Sequence, residues 1–264
     1  MLIRWWELTN KSNSYRNRII NSSRKKKSRI ILALDVTPRK GLKRFVKSTI
    51  RLLEHHICAI KINYHLILPL SLSEITEINR LAHRYGLVSI ADLKLNDIKS
   101  TNKIAIEYLS LMEFDAVIVN PFMGKDELIF ASKQAHKINF GIIALVYMSH
   151  PGAEESFGIN VVSANEQISG SSQLTQMYKI FFDYASQSHV DGIIIGATQD
   201  KILNELSGHK ELPVYSPGLG KQGGDIAKAA NNGTNFFIIG RSIIESKDPL
   251  GVIQKLQRDI SNNI

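Results

Sequence analysis

The sequence predicts a single (β/α)8 barrel, the TIM-barrel architecture, preceded by a short basic extension. Three observations support this prediction. Apolar, β-branched runs recur along the chain, segments with helical spacing separate most of them, and the 264 residues fit a barrel of about the usual 250. Runs that are apolar throughout, without alternation, are typical of parallel strands covered by helices.

Eight runs have the composition of strands, and the first begins near residue 30. In order they are RIILALD, ICAIKI, LVSIADL, DAVIVN, FGIIALVY, DGIIIGA, PVYSPG and NFFIIG. Eight strands that alternate with helices favour closure of a parallel sheet into a barrel. An open doubly wound sheet is the alternative, but LALDVTPRKG follows the first run where that fold would carry G-x-G-x-x-G.

The segments between the runs carry apolar residues at helical spacing. GLKRFVKSTIRLLEHH and SLSEITEINRLAHRYG each place them on one face, and Gly86 is expected to end the second helix. KDELIFASKQAHK and QLTQMYKIFFDYASQ follow the same pattern. The segment MSHPGAEESFGINVVSANEQISGSSQ, after the fifth run, is rich in Gly, Ser and Asn, which predicts a long loop and a candidate lid.

Residues 1–29 differ in composition from residues 30–264, which we assign to the barrel domain. The extension holds nine Lys or Arg and one acid, and so accounts for most of the net charge of +9. Its RKKKSR run suits nucleic acid or an anionic membrane, and its composition also fits a transit peptide. We expect a disordered, solvated tail without a membrane or nucleic-acid partner, which the barrel does not need for stability.

The sequence fits a protein of the reducing cytoplasm. It contains no run of eighteen apolar residues, and its N-terminus lacks the apolar core and cleavage site of a secretory signal. Cys58 is the only cysteine, so an intrachain disulfide is excluded. Because Cys58 lies in an apolar run, a small buried side chain is its expected role.

Charged side chains stand where the predicted strands end, which is the face of a barrel that carries active sites. Asp35 follows the first run, Lys61 lies in the second, and Asp92 and Lys94 end the third. Strand side chains alternate between two faces, so all four are expected to point into the barrel mouth. Buried charges stabilise a fold poorly, which favours a catalytic array over a structural salt-bridge network.

Glycine-rich segments after the seventh and eighth runs predict a phosphate site. SPGLGKQGGD and IIGRSIIES would bring backbone N–H groups and the planar guanidinium of Arg241 to one side of the mouth. The loops after these two strands are the usual phosphate position in this fold. We therefore expect a phosphorylated substrate.

Several motifs together resemble the orotidine 5'-phosphate decarboxylase family, over about residues 30–258. They are LALD, IKI, DLKLNDI followed by Thr101, MSHPGA, SPGLGKQGGD and IIGRSI, in the family's order. The resemblance implies a carboxy-lyase that uses neither cofactor nor metal and converts orotidine 5'-phosphate to UMP and CO2 in de novo pyrimidine biosynthesis. It also implies a cytoplasmic homodimer with shared active sites.

The resemblance also implies roles for single residues. Lys94 donates a proton to C6 of the pyrimidine, Asp92 lies beside the substrate carboxylate, Lys61 completes the charge array, and Asp97 reaches the neighbouring subunit's site. The substrate-binding residues that it implies are Asp35, Ile98, Thr101, Ser149, Pro217, Gln222, Gly240 and Arg241. The sequence departs from the family's pattern at Asn63, where glycine is expected, and at Lys221, where a small residue is common.

Two other functions stay open at this point. Mg2+-dependent sugar-phosphate lyases and aldolases of related barrels share the Asp-x-Lys-x-x-Asp array, although MSHPGA and GLGKQGGD favour a nucleotide. A catalytically inactive barrel that acts as a binding protein is the other, but Asp92, Lys94 and Asp97 are intact. A Ser-His-Asp hydrolase is not supported, because the adjacent Ser149 and His150 do not form a triad.

Overall fold

The computed structural model describes residues 14–37, 39–162, 174–206, 208–209, 211–220 and 223–263. Eight strands form one sheet: β1 (Ile30–Ala33), β2 (Ala59–Asn63), β3 (Val88–Leu95), β4 (Ala116–Val119), β5 (Gly141–Tyr147), β8 (Gly192–Ile195), β9 (Val214–Pro217) and β10 (Phe236–Ile239). A separate antiparallel pair consists of β6 (Asn160–Val162) and β7 (Leu174–Gln176).

Helices connect most of these strands. In the described residues they are α1 (Tyr15–Lys26), α2 (Leu42–Leu53), α3 (Tyr64–Ile67), α4 (Leu72–Arg84), α5 (Lys99–Leu111), α6 (Lys125–Lys137), α7 (Met177–Gln187), α8 (Asp200–Leu206), α9 (Ile226–Asn231), α10 (Arg241–Ile244) and α11 (Pro249–Ser261). None of these helices is long and apolar enough to cross a membrane.

The eight strands close into a barrel in the order β1-β10-β9-β8-β5-β4-β3-β2, and every neighbouring pair is parallel. Each strand corresponds to one of the eight apolar runs, so the predicted (β/α)8 barrel is confirmed. Every residue of β1, β4 and β5 is buried. Burial on both faces explains why these runs are apolar throughout, since one face lines the barrel interior and the other packs on the helices.

The outer helices follow the predicted apolar faces. In α4, Ser71 and Glu74 form a capping box, and Gly86 follows the helix with a φ of 71°, as its predicted role requires. The segment after β5 differs in part from the predicted loop, because it contains a short 3-10 helix (Pro151–Glu155) and β6, which pairs with β7 just beyond the segment. The last part of this candidate lid, residues 163–173, lies outside the described residues.

The basic extension is not the disordered tail that composition suggested. Residues 15–26 form α1, with the Ser14 side chain as its N-terminal cap, and Tyr15 and Ile19 are each only 1% exposed. The Tyr15 ring covers Gly141 at the start of β5, where an added Cβ would lie 2.4 Å from Cγ of Tyr15. The expectation of disorder is therefore wrong for α1, and residues 1–13 lie outside the described residues.

Ion pairs explain how so basic a segment folds onto the barrel. The Arg18 guanidinium lies 3.0 Å from Asp115 Oδ1, while Asp115 Oδ2 accepts a hydrogen bond from the Ser89 amide and contacts His83. The hydrogen bond between the His83 ring and the Asp115 carboxylate raises the pKa of His83. The charges of α1 are thus matched by carboxylates at the amino-terminal end of the barrel, which composition alone does not reveal.

Asp191, just before β8, makes the same kinds of contact as Asp115: with a strand amide, a histidine and an arginine of α1. Asp191 Oδ2 accepts a hydrogen bond from the Ile142 amide and lies 2.9 Å from His136 Nε2, while Oδ1 lies 3.7 Å from Arg16. At the first turn of α1, the hydroxyl groups of Tyr15 and Tyr215 lie 3.1 Å apart. Helix α1 is therefore fixed to the bottom of the barrel by apolar and polar contacts together.

We predict that Ile19→Ala lowers the free energy of unfolding by about 2–5 kcal/mol, because the substitution leaves a cavity under α1. The measurement is urea denaturation of the full chain, with the exposed Lys25→Ala on the same helix as the matched control. A loss below about 0.5 kcal/mol, equal to that of the control, would mean that α1 adds nothing to the stability of the barrel.

Candidate active site

A cavity of about 320 Å³ opens at the carboxyl ends of the barrel strands. It is the place that the fold predicts for an active site. The predicted site residues that line it are Asp35, Lys61, Asp92, Lys94, Ser149, Pro217, Gly240 and Arg241. One cavity therefore gathers residues from widely separated parts of the chain.

Four of these side chains form a continuous chain of alternating charge. The Lys61 ammonium donates to Asp35 Oδ1 at 3.1 Å and to Asp92 Oδ2 at 2.7 Å, and the Lys94 ammonium donates to Asp92 Oδ1 at 2.7 Å. Lys61 is 4% exposed and Asp92 is 8% exposed. The structure thus brings the two carboxylates and the two ammonium groups together in one cavity.

Burial and charge act in opposite directions on this array. Burial favours the neutral form of Lys61, but Asp92 and Asp35 outweigh it and raise the pKa of Lys61. Burial likewise favours protonated Asp92, yet Lys61 and Lys94 outweigh it and lower the pKa of Asp92. Both groups are therefore charged at neutral pH. The mouth of the barrel thus carries these charges before any substrate binds.

Strand alternation places the first two charged residues. Ala33 and Asp35 both line the cavity, as do Lys61 and Asn63, which is the spacing of two that an inward face requires. Asn63 was predicted only as a departure from the family's pattern. Its position two residues beyond Lys61 was the available signal that it reaches the site.

Lys94 reaches the cavity by a different route from the one predicted. The pairing of β3 with β4 runs from Asp92 opposite Ile118 directly to Leu95 opposite Val119, so Leu93 and Lys94 form a bulge. Lys94 has a φ of 48°, in the left-handed region, which costs a residue with a side chain about 1–2 kcal/mol. The backbone is therefore distorted at the residue whose ammonium faces Asp92.

Gly240 and Arg241, which the sequence predicts for a phosphate site, both line the cavity. A Cβ added to Gly240 would come within 2.8 Å of the Ala33 carbonyl oxygen, so only glycine fits between β10 and β1. Arg241 begins α10 beside it and is exposed to solvent. Gln222 and Lys221 lie outside the described residues.

Some residues that line this cavity were not predicted. They are Met148 and His150 from the loop after β5 and Ser242 of α10, besides Asn63. The hydroxyl of Ser242 is buried and has no hydrogen-bond partner among the described residues. Ser242 directly follows Arg241 in the GRS motif, which was the available sequence signal.

Asp97, Ile98 and Thr101 are not among the described residues that line the cavity. All three are exposed, and Asp97 Oδ1 accepts a hydrogen bond from the Ile98 amide at 2.7 Å. They precede or begin α5, whose exposed side includes Ile104, Tyr108 and Leu111. These predicted site residues therefore face away from the cavity of their own chain, next to an apolar surface.

In the described part of the chain, no group of three or more His, Cys, Asp or Glu side chains is arranged to hold a metal ion. The chemistry available in the cavity is proton transfer and electrostatic stabilisation by fixed charges.

Comparisons with known proteins agree with the motifs. Residues 28–256 match the model of the orotidine 5'-phosphate decarboxylase / HUMPS family. A protein of Methanocaldococcus jannaschii named orotidine 5'-phosphate decarboxylase is 32% identical over 223 residues, which are 84% of this chain and 93% of that protein. One of Pyrococcus furiosus with the same name is 32% identical over 235 residues, or 88% and 97% of the two chains.

A solved structure is similar over the same region. The crystal structure of orotidine 5'-monophosphate decarboxylase from Methanocaldococcus jannaschii, complexed with the inhibitor BMP, has a TM-score of 0.72 and 30% sequence identity. The match covers 88% of this chain and 98% of that chain. The similarity thus includes the whole barrel, and α1 precedes the part of the chain that the family model matches.

We predict that Lys94→Gly is more stable than Lys94→Ala by about 1 kcal/mol, because glycine adopts the left-handed backbone without strain. Both substitutions remove the same ammonium group, so their difference in unfolding free energy reports the backbone. Lys103, inside α5, is the matched control, and there alanine is expected to be the more stable by about 1 kcal/mol. Equal stabilities at residue 94 would show that the bulge carries no strain.

Proposed function

The chain belongs to the orotidine 5'-phosphate decarboxylase / HUMPS family, and on that premise we propose that its cavity converts orotidine 5'-phosphate to UMP and CO2 in pyrimidine biosynthesis. The family and the decarboxylase identity predicted from the motifs are confirmed by relatives of that name. The observation that carries the proposed mechanism is the chain of charges from Asp35 through Lys61 and Asp92 to Lys94.

The proposed reaction breaks the bond between C6 of the pyrimidine and the carboxylate carbon. CO2 leaves, the electron pair stays on C6, and the Lys94 ammonium transfers a proton to that carbon. A cation next to C6 stabilises the developing negative charge before the transfer occurs. Solvent then returns a proton to Lys94. This route uses side chains alone, so the proposal includes no cofactor and no metal.

Asp92 has two functions in this proposal. Its lowered pKa keeps it ionised, so a substrate carboxylate held against it is repelled, and the repulsion is relieved when CO2 leaves. Asp92 also holds the Lys94 ammonium by a 2.7 Å hydrogen bond. Lys61 supports the arrangement from the other side and, together with Asp35, is positioned at the mouth to bind ribose hydroxyl groups.

The proposed phosphate site is formed by residues at the carboxyl ends of β9 and β10. Arg241 provides a planar donor that matches phosphate oxygens, and Gly240 lets the backbone approach them closely. Pro217 also lines the cavity, and Ser149 is assigned to the pyrimidine edge. Gln222, which lies outside the described residues, is assigned to the phosphate. Binding energy from the phosphate, which is remote from C6, then helps to position the reacting carbon.

We also propose a homodimer with shared active sites. Asp97, Ile98 and Thr101 are exposed outside their own cavity, and the exposed apolar side of α5 adjoins them. A second copy that covers this surface would bury it and bring Asp97 and Thr101 to the neighbouring cavity. A cytoplasmic location stays a prediction.

The direct test is to mix the protein with orotidine 5'-phosphate and to follow the loss of orotate absorbance with and without EDTA. Lys94→Ala is expected to lower kcat by at least about 10³-fold, because both the proton donor and the cation next to C6 are lost. Lys47→Ala, on the surface of α2, is the matched control and should keep normal turnover.

Near-normal turnover of Lys94→Ala would exclude Lys94 as the proton donor. Loss of wild-type activity in EDTA would instead favour the metal-dependent lyases and aldolases of related barrels.

The shared site predicts complementation between two inactive variants. Lys94→Ala and Asp97→Ala proteins are mixed under conditions in which dimers exchange. In a mixed dimer one site carries both substitutions and the other carries neither, so activity should return to at most about half per mixed dimer. If exchange is demonstrated by mass spectrometry and activity stays absent, Asp97 acts within its own chain.

A further inference from the structure

A second cavity, of about 500 Å³, opens at the opposite end of the barrel from the candidate active site. The C-terminal half of α1, the segment that joins α1 to β1, the start of β10 and the end of α11 enclose it. Ile20, Ile30, Phe236 and Ile260 supply apolar surface within it. The cavity thus lies between α1, α11 and the bottom of the barrel.

Three cationic side chains, Arg24, Lys27 and Arg29, line this cavity, and the described residues that line it include no Asp or Glu. None of the three forms an ion pair with a described residue. Arg29 is partly buried, and this burial lowers its pKa, so it pays a desolvation penalty that no described carboxylate offsets. A concave site therefore concentrates positive charge without a counterion.

The basic run that contains these residues is divided by the fold. Lys26 is bound to Glu54, and Lys25 is exposed and is not among the residues that line the cavity. Only Arg24, Lys27 and Arg29 face the cavity. A flat polybasic surface for membranes or nucleic acid would present all of these charges to solvent together, and this arrangement does not.

The other polar groups of the cavity show which donors are available. Gln257 donates to the Lys27 carbonyl oxygen and contacts His56 Nδ1 through its own oxygen, so both ends of its amide are used. Ser28 is used as well, because its hydroxyl donates to the His56 carbonyl oxygen. The side-chain donors left for a ligand include the hydroxyl of Ser23, the amide NH2 group of Asn235 and the three cationic groups.

The geometry points to a binding site for a small phosphorylated metabolite at this end of the barrel. Two guanidinium groups and an ammonium group suit phosphate oxygens, and the apolar surface suits the organic part of the ligand. The volume falls within the range of about 300–1,000 Å³ that small-molecule sites occupy. Arg24, Lys27 and Gln257 lie outside residues 28–256, so the family match includes only part of this site.

The test is a calorimetric titration of the full chain with inorganic pyrophosphate, a small polyanion without a base or sugar. The double variant Arg24→Gln/Arg29→Gln should lose a binding event, or bind at that event at least about tenfold more weakly, because charge-assisted contacts are removed. Lys25→Gln removes one positive charge next to Arg24, outside the cavity, and should bind as the wild type does. Any pyrophosphate binding at the candidate active site should be the same in the wild type, the double variant and Lys25→Gln.

The single variant Arg24→Gln, at an exposed position, keeps the test decisive if the double variant does not fold, and it should weaken binding in the same direction. Identical titrations for wild type, Arg24→Gln and Lys25→Gln would overturn the proposal. An equal loss in Arg24→Gln and Lys25→Gln would also overturn it, since it would show diffuse attraction of polyanions. The same holds if single-stranded RNA or anionic vesicles bind while pyrophosphate does not.

Discussion

The carboxylate of Asp92 accepts hydrogen bonds from two ammonium groups at 2.7 Å each, and the arrangement of the barrel mouth follows from this contact. A carboxylate that is 8% exposed stays ionised only when cations compensate for its lost hydration. Lys61 comes from the neighbouring strand β2, and Lys94 is delivered by a bulge in β3 itself. The pairing of β2 with β3 brings Lys61 beside Asp92, and the strand ends at the barrel mouth bring these charges into one cavity.

The amino-terminal end of the barrel is packed and ion-paired, whereas the carboxyl end holds the candidate active site. At the amino-terminal end, Tyr15 and Ile19 of α1 close the interior, and Asp115 and Asp191 each bind an arginine of α1 while accepting a strand amide. At the carboxyl end, polar groups stay accessible, Lys94 takes a strained conformation, and the Ser242 hydroxyl lacks a described partner. The left-handed residue Lys94 and the buried hydroxyl of Ser242 thus both lie in the cavity where a substrate would bind.

Much of the fold and the site could be predicted from the sequence, for identifiable physical reasons. Buried parallel strands need apolar residues on both faces, which makes each run visible, and alternation correctly turned Asp35 and Lys61 inward. The bulge at Lys94 left no such signal, because DLKL reads as ordinary alternation. Helix α1 was missed because its charges dominate its composition, while the acids that neutralise Arg16 and Arg18 lie about a hundred or more residues away in sequence.

The central claim is that the four charges at the barrel mouth are kept for a reaction and not for the fold. It is tested most directly by the unfolding free energy of the variant Asp35→Asn/Lys61→Met/Asp92→Asn/Lys94→Met, in which the array is replaced by neutral groups of similar volume. The account predicts stability within about 1 kcal/mol of wild type, or higher, together with complete loss of decarboxylation. A loss of about 3–5 kcal/mol would contradict it, because the array would then be a structural element of the barrel.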